Sequence, residues 1–382
     1  MNNLVYHEVL PSNLKSSYDE FTVVDWRLSH PNRKLNVGSV RIEGEIRVTY
    51  DNKVLSSTDE VDGTPVNEKI IYYDHLVGAN ALFESITTTI NAEGSRSVVE
   101  TLNEYPRWCK MSMSATAGRN DMLNSNNVCE MKAPIDDMTV AILQGEIPAS
   151  NPSNDLQRLD PDFSVRPLFV LNSGSGQLGY DKTGDIDVST TLARVFAVLF
   201  GNDVNSKVKY SVTNLRLRYT TSPMDDNSDP VVLKTKLMIK NSIQSSFANI
   251  QTNVPALVSA VTVSFQTSAN ENTAVNNNLE LNKVPSLSQT QFLFNDSSNT
   301  LVSYILRNNS EVIDRAIGSM MDTGRNALNT QNLANNNGFL CGLDFDQVIS
   351  LQQSKFALQL TSGISSSVPM VAYMYFHSFV EL

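Results

Sequence analysis

Four histidines, His7, His30, His75 and His377, stand in the chain, and no two of them have metal-ligand spacing. His75 follows Asp74, a couple with acid–base potential. Neighbours of this kind more often make a turn held by local hydrogen bonds. Gly174, Gly176 and Gly179 match the Gly-x-Gly-x-x-Gly pattern, and a strand pattern precedes them. The pattern holds a pyrophosphate only where a helix N-terminus follows. Here Tyr180, Asp181, Lys182, Thr183, Gly184 and Asp185 follow, a turn sequence without an apolar stripe, so a flexible loop is expected. Asp136–Asp137 and Asp225–Asp226 are adjacent pairs, and adjacent residues on extended chain point apart. Asp344 and Asp346 share a parity, which leaves a weak cation site as the alternative to a solvated loop. No Gly-x-Ser-x-Gly elbow, His-Glu-x-x-His or Walker loop occurs. Tyr105, Arg107, Trp108 and Lys110 are of types that stack on nucleic acid. Packing is the simpler expectation there, with Pro106 fixing a turn. No catalytic residue, cofactor or metal is assigned.

The bulk chemistry agrees. With 29 Lys and Arg against 40 Asp and Glu the net charge is −11, which opposes general binding to phosphates. The three cysteines, Cys109, Cys129 and Cys341, have no framework spacing, so free buried thiols in a reducing compartment are expected. Neither a signal peptide nor a run of 18 apolar residues is visible, so folding in cytosol is expected.

The elements that would position these residues are mostly strands. From Ser39 to Tyr50, Val40, Ile42, Gly44, Ile46, Val48 and Tyr50 alternate with Arg41, Glu43, Glu45, Arg47 and Thr49, a half-buried antiparallel strand with mixed charge outside. From Val208 to Tyr219 the apolar parity switches at Thr213 and Asn214, the mark of a β-bulge. Thr191–Phe200 fits helix or strand equally. Met370–Leu382 is apolar or aromatic on both parities, so it needs a second cover, from an insertion or a neighbouring subunit. The clearest helix pattern starts at Ser310 and runs through Val312, Ile313, Ala316, Ile317 and Met320. About a dozen strands and one good helix predict a mainly β protein, an antiparallel β-sandwich.

Several stretches resemble the penton (minor capsid, vertex) proteins of Sputnik-type virophages and polinton-like viruses. They are Tyr73–Leu76, Ala81–Ile86, Leu102–Arg107, Val195–Phe200 with Val212–Tyr219, Gly342–Phe345, Phe356–Leu360 with Ser362–Gly363, and Tyr373–Ser378. The patches span about 70–382, and their order carries the likeness. The resemblance implies a single jelly-roll with an inserted domain carrying the one helix. The expected domains are an N-terminal arm at 1–36, a jelly-roll from 37–224 and 336–382, and an insertion at 225–335, with 109–163 as the other place for it. It further implies a homopentamer at the five-fold vertices of an icosahedral virion, made in host cytoplasm or a viral factory. The implied partners are trimers of a major capsid protein and minor capsid proteins, with no specific nucleic acid, and a host receptor reached through the insertion. Assembly contacts are expected at Tyr105, Pro106, Arg107, Tyr373, Tyr375 and His377. The alternatives are a double jelly-roll major capsid protein, which needs about sixteen strands, and a soluble jelly-roll binding or attachment module.

Overall fold

The computed structural model describes residues 4–55, 59–66, 69, 71–74, 76–92, 94–116, 130, 162–224, 230–254, 257–271, 273–295, 301–306, 339–350 and 355–382. The chain order begins with β1 (Val5–Val9), β2 (Tyr18–Asp19), β3 (Val23–Leu28), β4 (Arg33–Asn36), β5 (Arg41–Tyr50), β6 (Lys53–Val54), β7 (Glu60–Val61), β8 (Thr64–Pro65), β9 (Phe83–Ala92) and β10 (Ser95–Asn103). Helix α1 (Tyr105–Thr116) follows, then β11 (Asp162–Val165), β12 (Gln177–Gly179), β13 (Asp185–Leu192) and β14 (Val208–Pro223). The second half has β15 (Val232–Ile243), β16 (Phe247–Asn253), β17 (Leu257–Thr267), β18 (Gln289–Asn295), β19 (Leu301–Leu306), β20 (Leu340–Ser350), β21 (Lys355–Thr361) and β22 (Met370–Glu381).

The second half pairs as two four-stranded sheets, β15-β22-β17-β20 and β16-β21-β18-β19. Numbering its eight strands in sequence gives the orders 1-8-3-6 and 2-7-4-5, the jelly-roll arrangement. The first half repeats it. Strands β1, β14, β5 and β11 make the 1-8-3-6 sheet, and β3, β13, β9 and β10 make the 2-7-4-5 sheet. Strands β2, β4, β6 and β12 are additions to the first of these. The mainly β jelly-roll class expected of the sequence is the class observed.

The grouping of the strands differs from expectation. The expected jelly-roll joins 336–382 to 37–224, but β20, β21 and β22 pair with β15–β18 and complete a second roll. Much of the 225–335 span is thus half of that roll. The undercount of strands has local causes. The 1–36 stretch read as an arm holds β1 to β4, whose short lengths show little alternation. Strand β16, with Phe247 exposed, Asn249 between Ala248 and Ile250, and Gln251, Thr252 and Asn253 after them, has no apolar run. The helix pattern at 310–320 lies outside the described residues.

Strands β5 and β14 show why the pattern works where it works. Their outward set carries Arg41, Glu43, Glu45, Arg216 and Arg218, while Ile42, Ile46, Val48, Val212 and Leu217 are buried. The bulge falls where the parity switch put it, between Thr213 and Arg216, with Asn214 at φ 52°. Gly44 lies beside the bulge, and a β-carbon there would stand 3.1 Å from Leu215, Phe163 and the Thr213 carbonyl. Only glycine lets the backbone approach so closely without displacing a neighbour.

Two apolar clusters result. One fills the second roll around Val261, Val263, Phe265, Phe356, Leu358, Met374 and Phe376. The other fills the first roll and runs on to take in Val371, Tyr373, Tyr375 and Leu340. The second cover that β22 requires is therefore supplied by this chain's own first roll.

Candidate functional site: the seam and the open sheet face

Helix α1 is the centre of the contact between rolls. It begins after Glu104, whose φ of 50° turns the chain out of β10. The Arg107 and Trp108 amides donate to the Glu104 carbonyl, at 3.1 and 3.2 Å. Pro106 fits the first turn, where its missing N–H costs nothing. From Tyr105 to Ala115 every residue is buried. A helix covered all round has no amphipathic stripe to betray it, and so the sequence reads there as irregular.

All six residues expected to make assembly contacts come together here, and their contacts lie within the chain. The Tyr105 hydroxyl donates to Asn80 Oδ1 at 2.6 Å and accepts from the Leu168 amide at 3.0 Å. Arg107 donates to Gln266 Oε1 and the Asn278 carbonyl, both at 2.6 Å, and its guanidinium lies 4.1 Å from the centre of the Tyr373 ring. Tyr375 donates to the Glu104 carbonyl at 2.9 Å. Trp108 packs on Tyr375 and edge-on to His377, each with centroids 5.4 Å apart. Pro106 is buried in the first turn of α1. These side chains join one roll to the other, and their burial leaves them no surface to offer a neighbouring subunit.

Charge is neutralised locally along the seam. Asp74 accepts from the Leu76 and Val77 amides at 2.9 and 3.1 Å, the expected turn, and its other oxygen takes Lys110 Nζ and Asn277 Nδ2, both at 2.6 Å. Glu100 accepts from the Val170 amide at 2.8 Å and from the Lys236 amide at 2.9 Å. Burial raises its carboxyl above the usual range, against the pull of Lys236. Lys240 pairs with Glu271 and, at 3.2 Å, with Glu104. His377 Nε2 lies 3.0 Å from Thr262 Oγ1. Burial, with Lys236 and Lys234 nearby, pushes its pKa down to about 3, so the ring is neutral at ordinary pH. A cavity of about 50 Å³ beneath Trp108, Ser112, Lys236 and His377 is far smaller than the roughly 300 Å³ of a small-molecule site.

The outward face of the first roll is different. Glu43 pairs with Arg216 and Arg218 at 3.1 Å each, Arg218 also reaches Glu8 at 2.9 Å, and Arg41 donates to Ser164 at 2.9 Å. Glu8, Glu43, Ser164 and Arg216 border an open groove of about 370 Å³ that Glu45, Asp162 and Asn214 also line.

Other sequence candidates separate. After Gly179 a single helical turn, Tyr180–Thr183, does form, but four residues give no helix N-terminus for a phosphate. Thr191–Phe200 divides between the end of β13 and one helical turn at Val195–Val198. Cys109 and Cys341 are buried, and neither forms a disulfide among the described residues. His75, Cys129, Asp136–Asp137 and Asp225–Asp226 lie outside the described residues. His7 and His30 stack with centroids 3.8 Å apart, a pairing their 23-residue separation hid. Burial lowers both below the ordinary histidine range, and Arg33 adds to it. Among the described residues no group of three or more His, Cys, Asp or Glu is placed to hold a metal ion.

Two successive jelly-rolls sharing a buried seam define the fold as a double jelly-roll. No protein family profile and no curated relative matches the chain. Solved structures do. The Faustovirus major capsid protein superposes with a TM-score of 0.64 at 9% identity, covering 100% of this chain and 90% of that one. A chain of the Sputnik virophage cryo-EM structure gives 0.58 at 12% identity, covering 100% and 86%. The mavirus major capsid protein gives 0.53 at 8% identity, covering 99% and 90%. At these identities the likeness is one of fold.

Proposed function

We propose that the protein is a structural subunit of an icosahedral viral capsid, of the major-capsid type. The observation that carries this reading is the duplication: one chain holds two complete rolls with the same strand orders. Three copies present six similar rolls about one axis, a near-hexagonal tile that closes by a heterologous contact. The solved structures of this fold that bear a functional name include the major capsid proteins of Faustovirus and mavirus. The partners would be further copies and other capsid proteins, and the location the virion.

The vertex reading, a homopentameric penton, draws on the sequence resemblance. Of the two covers expected for the apolar second face of β22, an insertion or a neighbouring subunit, the chain supplies one itself through α1. The attachment-module reading has no binding cavity at the seam to support it. Negative-stain images of the purified protein test all three. Three-fold particles with a near-hexagonal outline are expected. Five-fold rings would replace the major-capsid reading with the penton, and a strict monomer at every concentration would sink both.

A further inference from the structure

The small cavity in the seam has a wall of one electrical sign. It lies beneath Trp108 and is bounded by Ser112, Lys234, Lys236 and His377, with Phe169 among its apolar residues. Among the described residues that line it there is no Asp or Glu. In a chain of net charge −11 that is a local reversal. The Trp108 indole N–H is buried and has no hydrogen-bond partner. A buried donor without an acceptor is costly, and native proteins rarely leave one so. Asn172 and Ser173, also on the wall, are engaged elsewhere. Asn172 accepts from the Val40 amide at 3.1 Å and donates to the Val40 and Pro167 carbonyls at 2.9 and 2.8 Å. Ser173 accepts from the Lys234 amide at 2.9 Å and donates to the Val170 carbonyl at 2.7 Å. Lys236 is 8% exposed, and its Nζ stands 5.1 Å from the centre of the indole ring. Glu100 feels the Lys236 charge, but both its oxygens accept backbone amides and it does not line the cavity. Burial and the two ammoniums keep the His377 ring neutral, so the charges on the wall are those of Lys234 and Lys236.

We infer that this cavity binds a small inorganic anion of chloride's size, held by the Trp108 N–H and the Lys236 ammonium. Size sets the class of ligand. A single water needs roughly 10–15 Å³ of such space, so the cavity of about 50 Å³ admits a halide with a water or two and no organic molecule. Lys234 is half-buried, which gives the ion a route from solvent. Water would accept the indole proton, but it would bring no charge to a wall that carries ammoniums and no carboxylate. At the low dielectric of a buried site that charge favours the anion. The donors come from both sides of the seam. Trp108 and Ser112 belong to α1, Lys234 and Lys236 to β15, and His377 to β22. A bound anion therefore ties the helix to the second roll by charge-assisted hydrogen bonds. The stability of the seam then depends on the anion as well as on aromatic packing.

The site lies within one chain, so its test is independent of the capsid reading. Crystals of the full-length protein soaked in sodium bromide are measured at the bromine absorption edge. An anomalous peak beside Trp108 and Lys236 is expected. No peak there overturns the inference and leaves the cavity to water. In solution, urea midpoints are measured as chloride replaces gluconate at constant ionic strength. The midpoint is expected to rise and then level off as the site fills. In Trp108→Phe, which removes the N–H and keeps an aromatic ring, half-saturation is expected at a chloride concentration at least about tenfold higher. Lys236→Met keeps a buried stem without the charge and is expected to abolish the saturable rise. A bromide peak without a saturable chloride effect marks an adventitious ion only and overturns the inference. A chloride effect that both variants retain unchanged is a general salt effect and overturns it too. Should a variant fail to fold, the bromide and chloride measurements on the parent still decide.

Discussion

The outer face of the 1-8-3-6 sheet is dry and aromatic in the second roll, wet and ionic in the first. On β22 it carries Tyr373, Tyr375 and His377, all buried. On β14 and β5 it carries Arg216, Arg218, Glu43 and Glu45, with a groove open to water. The inner faces of both sheets are alike, rows of Val, Ile, Leu and aromatic side chains. The fold thus sets the inner face, and what covers the outer one, or leaves it open, sets its chemistry. Where the neighbour is joined covalently and always present, the face can be apolar without risk of aggregation. Where the chain supplies no such neighbour, the face is charged and compatible with water.

The largest test of the contrast removes the permanent neighbour. Trp108→Ala takes the indole from between Tyr375 and His377 and leaves a cavity joined to the one already there. A loss of about 3–5 kcal/mol is expected, the usual range for a buried Trp. Urea unfolding monitored by both far-UV dichroism and limited proteolysis should show the rolls separating before either unfolds. A loss below about 1 kcal/mol would mean that the seam is not held as described.

On the first roll the corresponding weak point is inside the sheet. Gly44→Ala places a methyl 3.1 Å from Leu215, Phe163 and the Thr213 carbonyl, two of them on the bulged strand. About 1–3 kcal/mol of overpacking is expected, read as a lower thermal midpoint. An unchanged midpoint would show that the bulge relaxes freely. Here the sequence was informative, since the parity switch at Thr213 and Asn214 marks the bulge. The seam was much less legible. Alternation reports burial on one face, so β5 and β14 could be read directly. Helix α1 is buried on every side, and its Arg107 and Lys110 look like surface residues until Gln266, Asn278 and Asp74 are seen beside them. The Asn-rich loop at 276–278 reads as solvated turn, yet Asn277 and Asn278 hold the buried ends of Asp74 and Arg107. Partners more than 150 residues apart leave no trace in local pattern. The sequence marks Tyr373, Tyr375 and His377 as residues in need of a cover, and the cover they have is within the chain, which a strand's own sequence does not specify.

The buried histidine gives the contrast a pH dependence. His377 is held at about 3, below its ordinary value of 6.5, so between those values the unfolded chain binds a proton that the folded chain refuses. Stability from this group is complete above pH 6.5 and falls on acidification towards 3, by up to about 1.4 kcal/mol per pH unit. Glu100 works in the opposite sense: its raised carboxyl favours the fold at low pH and loses that advantage as pH rises past 4.5 through its folded value. In His377→Gln, which keeps a group able to bond Thr262, the acid-side decline should shrink by the histidine's share. Chemical denaturation at a series of pH values measures it. A slope identical to that of the parent would show that the seam admits water and a proton.

The smallest expected effect is at the open face, and its smallness is the point. Arg218→Ala removes one guanidinium that bridges Glu8 on β1 and Glu43 on β5. Its side chain is 47% exposed, so solvent screens both pairs, and a loss of about 0–1 kcal/mol from the monomer is expected. If the face is covered in the assembled shell, the same pair of bonds is then shielded from solvent and each charge has fewer alternatives. The variant should therefore form trimers more weakly than its small loss of monomer stability explains, and 0.5 M salt should weaken the parent's association towards the variant's. Equal trimer formation by parent and variant at low salt would mark the face as mere solvated surface, and the likeness between the two sheets would then end at their inner sides.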